Sequence, residues 1–289
     1  TFMAGFFAVA IILALGFMGN MVQSNSIGDA FFTAFGVPKI AVGIVVAAVS
    51  AFIFLGGVKR IAAITEKLVP IMAIFYICGA LIAIGMNAEN ILPAFQSIFV
   101  GAFSPEAVMG GAIGISIKEA VRFGVARGLF SNEAGMGSTP HAHAMAKVAK
   151  PQDQGAVAMV GVFIDTFIVL TITALVILTS GMLGTTGADG QMLTATALAQ
   201  AAFNNSFGSF GNIFVAICLL FFAFSTIVGW YFFGEANVKA LFKGSKKATV
   251  AYGVIALVFI VVGSFQKVTL VWDMSDMFNG LMVIPNLLA

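Results

Sequence analysis

The sequence predicts an all-α protein embedded in a membrane, and three observations carry that prediction. Hydrophobic residues fill 60% of the 289 positions and charged residues only 9%, a balance outside that of soluble domains. The apolar residues fall in runs of about 20, the length a helix needs to cross roughly 30 Å of hydrocarbon. The 14 Lys and Arg collect mostly between those runs rather than within them. A net charge of +2 carries no signal for nucleic acid, and none is expected as a partner; the lipid bilayer is. Cys78 and Cys218 sit in apolar runs, where they read as small core residues rather than a disulfide or metal pair. The chain opens at Thr1 in apolar sequence and stops at Ala289 inside another apolar run. It is therefore expected to be an internal piece of a longer protein, forming one transmembrane domain over 1–289.

The elements follow in order. Residues 2–28 are the first span. Its end, Gly19 to Ser26, carries the amides and hydroxyls of Asn20, Gln23, Ser24, Asn25 and Ser26. Lipid penalises such a face, so it points into the bundle as the wall of a site, or else marks a helix end at the interface. Gln23 offers both a donor and an acceptor. Residues 38–57 are the second span, and Lys59, Arg60 and Lys67 place the next connection in the cytoplasm. Residues 68–86 run outward. Residues 91–117 either cross or form an outer hairpin, with a helix start at Ser104, Pro105 and Glu106 that Gly110, Gly111 and Gly114 weaken. Lys147 and Lys150 are cytoplasmic.

Residues 155–180 form a span holding Asp165 and Thr166. A lone intramembrane carboxylate either contacts an ion or bonds to helix ends within the bundle. Gly181 to Gly190 is an outer polar turn, and Leu193 to Phe203 an interfacial helix. Residues 208–234 span next, and Lys239, Lys243, Lys246 and Lys247 mark another cytoplasmic turn. Residues 248–264 go out and 270–289 return, with Asp273 and Asp276 at the outer interface. The count is eight crossings when residues 127–143 are a broken helix.

That stretch is where the sequence concentrates its chemistry. Ser131, Asn132, Glu133, Gly135, Gly137, Ser138 and Pro140 crowd into ten positions, and Gly and Pro loosen the helical ladder. Broken backbone survives at membrane depth only when buried in protein or lining a wet cavity, and such helices hold substrate and ions in secondary transporters. A cytoplasmic loop with a helix cap is the other reading. In the 208–234 span, the Phe222 carbonyl and the Ser225 and Thr226 hydroxyls share one helical face at i, i+3 and i+4. Oxygen-only coordination suits a small hard cation; hydroxyls bonded back to their own helix give the same pattern.

These residues resemble the alanine or glycine:cation symporter family. The likeness runs through Gly19 to Ser26, Gly56 to Ala62, Gly124 to Ser138, Gly161 to Thr166, Phe222 to Trp230 and Asp276 to Met282. It covers essentially the whole chain, and Phe130 to Ser138 is its most specific part. His141 departs from the apolar residue expected there; it and His143 are read as solvated, without a ligand role. The resemblance implies the inverted-repeat, leucine-transporter-like fold of the amino acid–polyamine–cation superfamily. The spans would be about helices 3–10 of it, with the N-terminal helices and the extreme C-terminus missing.

It also implies a bacterial or archaeal plasma-membrane symporter, not an enzyme, that imports a small neutral amino acid by alternating access. Sodium would be the coupling ion, with no other cofactor, and the protein a monomer. Gln23, Ser131, Asn132, Gly135, Met136, Gly137, Thr226 and Trp230 would line the substrate site, and Phe222, Ser225 and Thr226 the sodium site. Proton coupling is the alternative. A channel would want a ring of like residues or a repeated filter, and the sequence has neither. A membrane enzyme would need an acid–base cluster; Glu133, His141 and His143 lack metalloprotease spacing.

Overall fold

The computed structural model describes residues 2–103, 117–187 and 190–288. The helix start at Ser104 and the glycines at 110, 111 and 114 lie outside the described residues. Among the described residues are eleven α-helical segments, a short 3-10 turn at Ala88–Asn90, and a single bridge between Thr186 and Met192 in place of any strand. They are α1 (Phe2–Phe35), α2 (Lys39–Phe54), α3 (Gly57–Met86), α4 (Ile91–Phe103), α5 (Ile117–Asn132) and α6 (Pro140–His143). α7 (Pro151–Thr179), α8 (Ala195–Phe207), α9 (Phe210–Leu241), α10 (Lys246–Phe265) and α11 (Val268–Leu288) follow. Five segments are long and apolar enough to cross a membrane: α1, Arg60–Met86 of α3, α7, α9 and α10. α2 is apolar but has 16 residues, about 24 Å at helical rise.

Two boundaries differ from the sequence reading. α1 runs on to Phe35, so the polar run from Asn20 to Ser26 lies within a helix rather than at its end. α3 starts at Gly57, so Arg60 and Lys67 ride on its first turns. A helix needs no connection there, because its first turns can leave the hydrocarbon with their charges in water. Cys218 is buried as expected, whereas Cys78 is exposed.

The chain divides into two compact units. The first comprises Thr1–Phe75, Ala134–Gln154 and Ile213–Ala289. Its centre is α10 packed against α1 and α2, a contact built on small residues. A Cβ on Gly263 would come within 2.5 Å of the Met21 Cα, and one on Gly28 within 2.8 Å of the Ser264 carbonyl oxygen. Lipid is as apolar as Leu, so close backbone packing rather than hydrophobicity joins such helices. Asn25 strengthens the joint by donating Nδ2 to the carbonyls of Gly263 at 2.8 Å and Gln266 at 2.9 Å. It thereby caps the end of α10, whose last carbonyls have no partner within the helix. Phe54 stacks on Tyr231 at 3.5 Å and 5°, and Tyr231 on Tyr252 at 5.2 Å and 23°. The tight turn between α1 and α2 uses Gly36 at φ 68°, and Lys39 pairs with Asp29 across it.

The second unit comprises Tyr76–Glu133 and Gly155–Asn212. Hydrogen bonds made by side chains tie its helices together. Tyr76 meets Thr173 at 2.5 Å, Asn87 donates to Ser206 at 2.8 Å, and Asn90 donates to the Thr179 carbonyl at 2.9 Å. Phe203, on the buried face of α8, fills its core.

Candidate substrate and ion site

α5 stops at Asn132, and the next seven residues explain why no helix continues. Glu133, Gly135 and Gly137 have φ of 58°, 93° and 78°, the left-handed region that breaks a right-handed helix. Pro140 then opens the four-residue α6, where its missing N–H costs nothing. The interruption that the sequence concentrates at 127–143 is therefore present at Glu133 to Thr139. The freed groups find partners within the first unit. Asn286 of α11 donates Nδ2 to the Gly135 carbonyl at 2.7 Å. A Cβ on Gly137 would meet the Asn286 Oδ1 at 2.6 Å and the Phe7 ring at 3.2 Å, so glycine alone fits there. Met136 and Ser138 are fully buried.

His141 is the residue the sequence misread. It is half-buried and held at both nitrogens: its Nδ1 meets the Ser138 carbonyl at 2.8 Å and its Nε2 meets Asn237 Nδ2 at 3.0 Å. A carbonyl only accepts, so Nδ1 carries the proton and Nε2 accepts from the amide. The ring stacks on Phe7 at 6.1 Å and 15° and tilts against Phe233. One imidazole thus ties α6 to α9 and α1. His143 is likewise held, by Gln154 Nε2 at 2.8 Å. No local pattern could have shown this, because Asn237 lies 96 residues away from His141.

On α9, Ser225 and Thr226 both donate to the Phe222 carbonyl, each at 2.9 Å. The three oxygens share one face as their spacing requires, in the back-bonded arrangement. Ser225 also approaches the Met72 sulfur at 3.8 Å. One turn on, Trp230 is buried, and a Cβ on Gly19 of α1 would come within 2.5 Å of its ring. Gln23, half-buried, lies one turn beyond Gly19. Its neighbour Asn20 is fully buried, with Nδ2 fixed on the Gly16 carbonyl at 3.0 Å. The Asn20 Oδ1, part of the polar run read as a site wall, has no hydrogen-bond partner among the described residues. Just before it, over Ile12–Gly19, the α1 ladder widens to i→i+5, a form that recurs at functional positions.

Ser131 and Asn132 belong to the second unit. Ser131 donates to Asp165 Oδ2 at 2.8 Å, and Asn132 donates to Thr166 Oγ1 at 3.0 Å. Asp165 therefore bonds at a helix end, one of the two roles expected of it. It sits where α7 also widens to i→i+5, over Ile164–Val169. A carboxylate beside the negative pole of α5 is electrostatically unfavourable and gains from a cation.

The candidate residues thus fall into clusters. Gly135, Met136 and Gly137 share the break, and Phe222, Ser225 and Thr226 share a face. Trp230 and Gln23 lie beside Gly19, and Ser131 and Asn132 are in the other unit.

Sequence comparison supplies the relatives. A Bacillus subtilis protein described as a probable sodium/glutamine symporter is 42% identical over 287 residues, covering 99% of this chain and 58% of the relative. A Methanococcus maripaludis sodium/alanine symporter is 41% identical over 274 residues, covering 94% and 58%. A Bacillus sp. sodium/proton-dependent alanine carrier protein is 39% identical over 292 residues, covering 97% and 64%. The chain thus spans about three-fifths of the length of the curated relatives it matches. The family model described as the sodium:alanine symporter family matches residues 1–289, and the chain, a multi-pass membrane protein, belongs to that family.

Proposed function

We propose that the protein imports a small neutral amino acid, alanine or glycine, together with sodium, by alternating access. The observation that carries this reading is the break from Glu133 to Thr139, which sets the terminal dipole of α5 beside two left-handed glycines, Gly135 and Gly137. A zwitterion needs such dipoles for its carboxylate and amine. Gln23, Ser131, Asn132, Gly135, Met136, Gly137, Thr226 and Trp230 are the proposed substrate contacts. Phe222, Ser225 and Thr226 are the proposed sodium ligands. The fold we propose is the inverted-repeat, leucine-transporter-like one, with these helices as about its third to tenth, in a monomer of the plasma membrane. Coupling requires the ion to stabilise the geometry in which substrate binds. Here the ion would replace the two hydroxyl–carbonyl bonds on Phe222 by ion–oxygen contacts.

The names of the relatives add glutamine as a substrate to be tested and keep protons as the alternative ion. Proteoliposomes of the intact protein are to be assayed for labelled alanine, glycine and glutamine uptake, with imposed sodium or proton gradients. The expected result is alanine or glycine uptake driven by sodium; uptake indifferent to either gradient would sink the proposal. Thr226→Val deletes one ligand, a loss of about 1–3 kcal/mol. It should raise the sodium concentration for half-maximal uptake by roughly five- to over a hundredfold. An unchanged sodium dependence in both Thr226→Val and Ser225→Ala would place the ion elsewhere.

A further inference from the structure

We infer that the protein holds an anionic phospholipid in a cleft at the basic end of the first unit, with the headgroup at Lys243, Lys246 and Lys247. The cleft measures about 370 Å³. Phe54 and Tyr231 form its floor, Val250 and Val254 line its wall, and Glu235 and Thr249 are its polar groups. The floor is stiff: Phe54 and Tyr231 stack face to face, and Tyr252 donates its hydroxyl to the Tyr231 carbonyl at 3.2 Å. Val250 and Val254 are more than half exposed, so the wall opens outward on spans that lie in a bilayer.

The mouth is basic. Lys246 and Lys247 precede Thr249 and Val250 by three residues, which puts each pair on one face of α10. Lys239, one turn after Glu235 on α9, pairs with it at 3.0 Å, so the acidic group in the cleft is already neutralised. Lys243 lies in the turn between α9 and α10, and its side chain, like those of Lys246 and Lys247, is exposed. Lys246 and Lys247 therefore stand one turn before the cleft residues Thr249 and Val250, and Lys243 in the preceding turn adds a third positive charge at that end. By the positive-inside rule this end faces the cytoplasmic leaflet, where basic clusters beside spans gather anionic headgroups.

An acyl chain in the slot gains packing against the stiff floor rather than hydrophobic energy, because the surrounding lipid is equally apolar, and that gain is the same for every lipid. Selectivity must come from the headgroup, and charge complementarity commits the site to a phosphate-bearing anionic lipid. The inference does not depend on the transported substrate.

The intact protein is to be placed in phosphatidylcholine nanodiscs doped with phosphatidylglycerol or phosphatidylethanolamine, and retained lipid counted by native mass spectrometry. Phosphatidylglycerol should be retained at least about tenfold over the others. The triple variant Lys243→Gln, Lys246→Gln, Lys247→Gln should bring that preference to near parity. Val254→Trp fills the slot and should lower retention of every lipid while the surface charge stays. The inference is overturned by an undiminished phosphatidylglycerol preference in the lysine variant, by unchanged retention in Val254→Trp, or by a preference for phosphatidylethanolamine. A Val254→Trp protein that instead changes oligomeric state would assign the slot to a second copy and also overturn it.

Discussion

At Gly137 two separate demands meet on one residue. The backbone sits at φ 78°, which costs a non-glycine residue about 1–2 kcal/mol. In addition the position of a Cβ is taken by Asn286 and Phe7. Gly181 has the same backbone demand at φ 70° but open space around it. Gly181→Ala should therefore destabilise by about 1 kcal/mol, and Gly137→Ala by about 2–4 kcal/mol, as crowding adds to strain. Thermal unfolding of the purified variants checks this, and equal losses would show that Asn286 yields freely. At this scale the sequence was legible wherever the chemistry is local. The spacing from Phe222 to Ser225 and Thr226 requires a shared face, and the Gly and Pro density at 133–140 requires a break. It missed the partners of Asn25 and His141, which lie 238 and 96 residues away. Nothing in an amide or an imidazole says which distant carbonyl or amide it will meet.

Between elements, the glycines of α10 and α11 separate packing from propensity. Gly263 is pressed on the Met21 backbone, whereas Gly280 of α11 has nothing within 4 Å of its Cβ position. Gly→Ala should thus have opposite signs at the two. Gly263→Ala should destabilise by about 1–3 kcal/mol through overpacking, and Gly280→Ala should stabilise by up to about 1 kcal/mol through helix propensity. Denaturant titration of the two variants in one detergent gives both numbers; a stabilised Gly263→Ala would refute the tight α1–α10 contact. Helix existence was readable from apolar runs, since every apolar run placed as a span coincides with a helix. Helix ends were not. α1 passes through five polar side chains because Asn20, Ser24 and Ser26 bond to carbonyls of their own helix. A polarity drop therefore marked no boundary.

For the molecule as a whole, the membrane class follows from composition, and the number of crossings follows from where the positive charges stand. Lys59, Lys147 and Lys246 should share one side of the bilayer. A cysteine placed at each, in turn, should react with an impermeant maleimide from the cytoplasmic face only. Reaction of any one from the opposite face would break the alternation of spans. The division into two units was not readable, because each unit is assembled from separated stretches. Residues 76–133 and 155–212 belong together, while 134–154 between them belongs with the chain ends. Local pattern sets the helices, but the partition depends on which helices fit one another.

That interleaving has a consequence for the order of synthesis. The main partner of α1 and α2 is α10, which leaves the ribosome roughly 200 residues after α2. At 5–20 residues per second this is a wait of about 10–40 s. Until then the Asn25 amide has no helix end to cap, and the Met21 and Gly28 surfaces have no neighbour from α10. The second unit can close earlier, because all its segments end by Asn212. The nascent chain therefore carries a finished piece beside an unfinished one, and its early helices depend on the insertion machinery to shield their polar face until Lys246–Phe265 arrives.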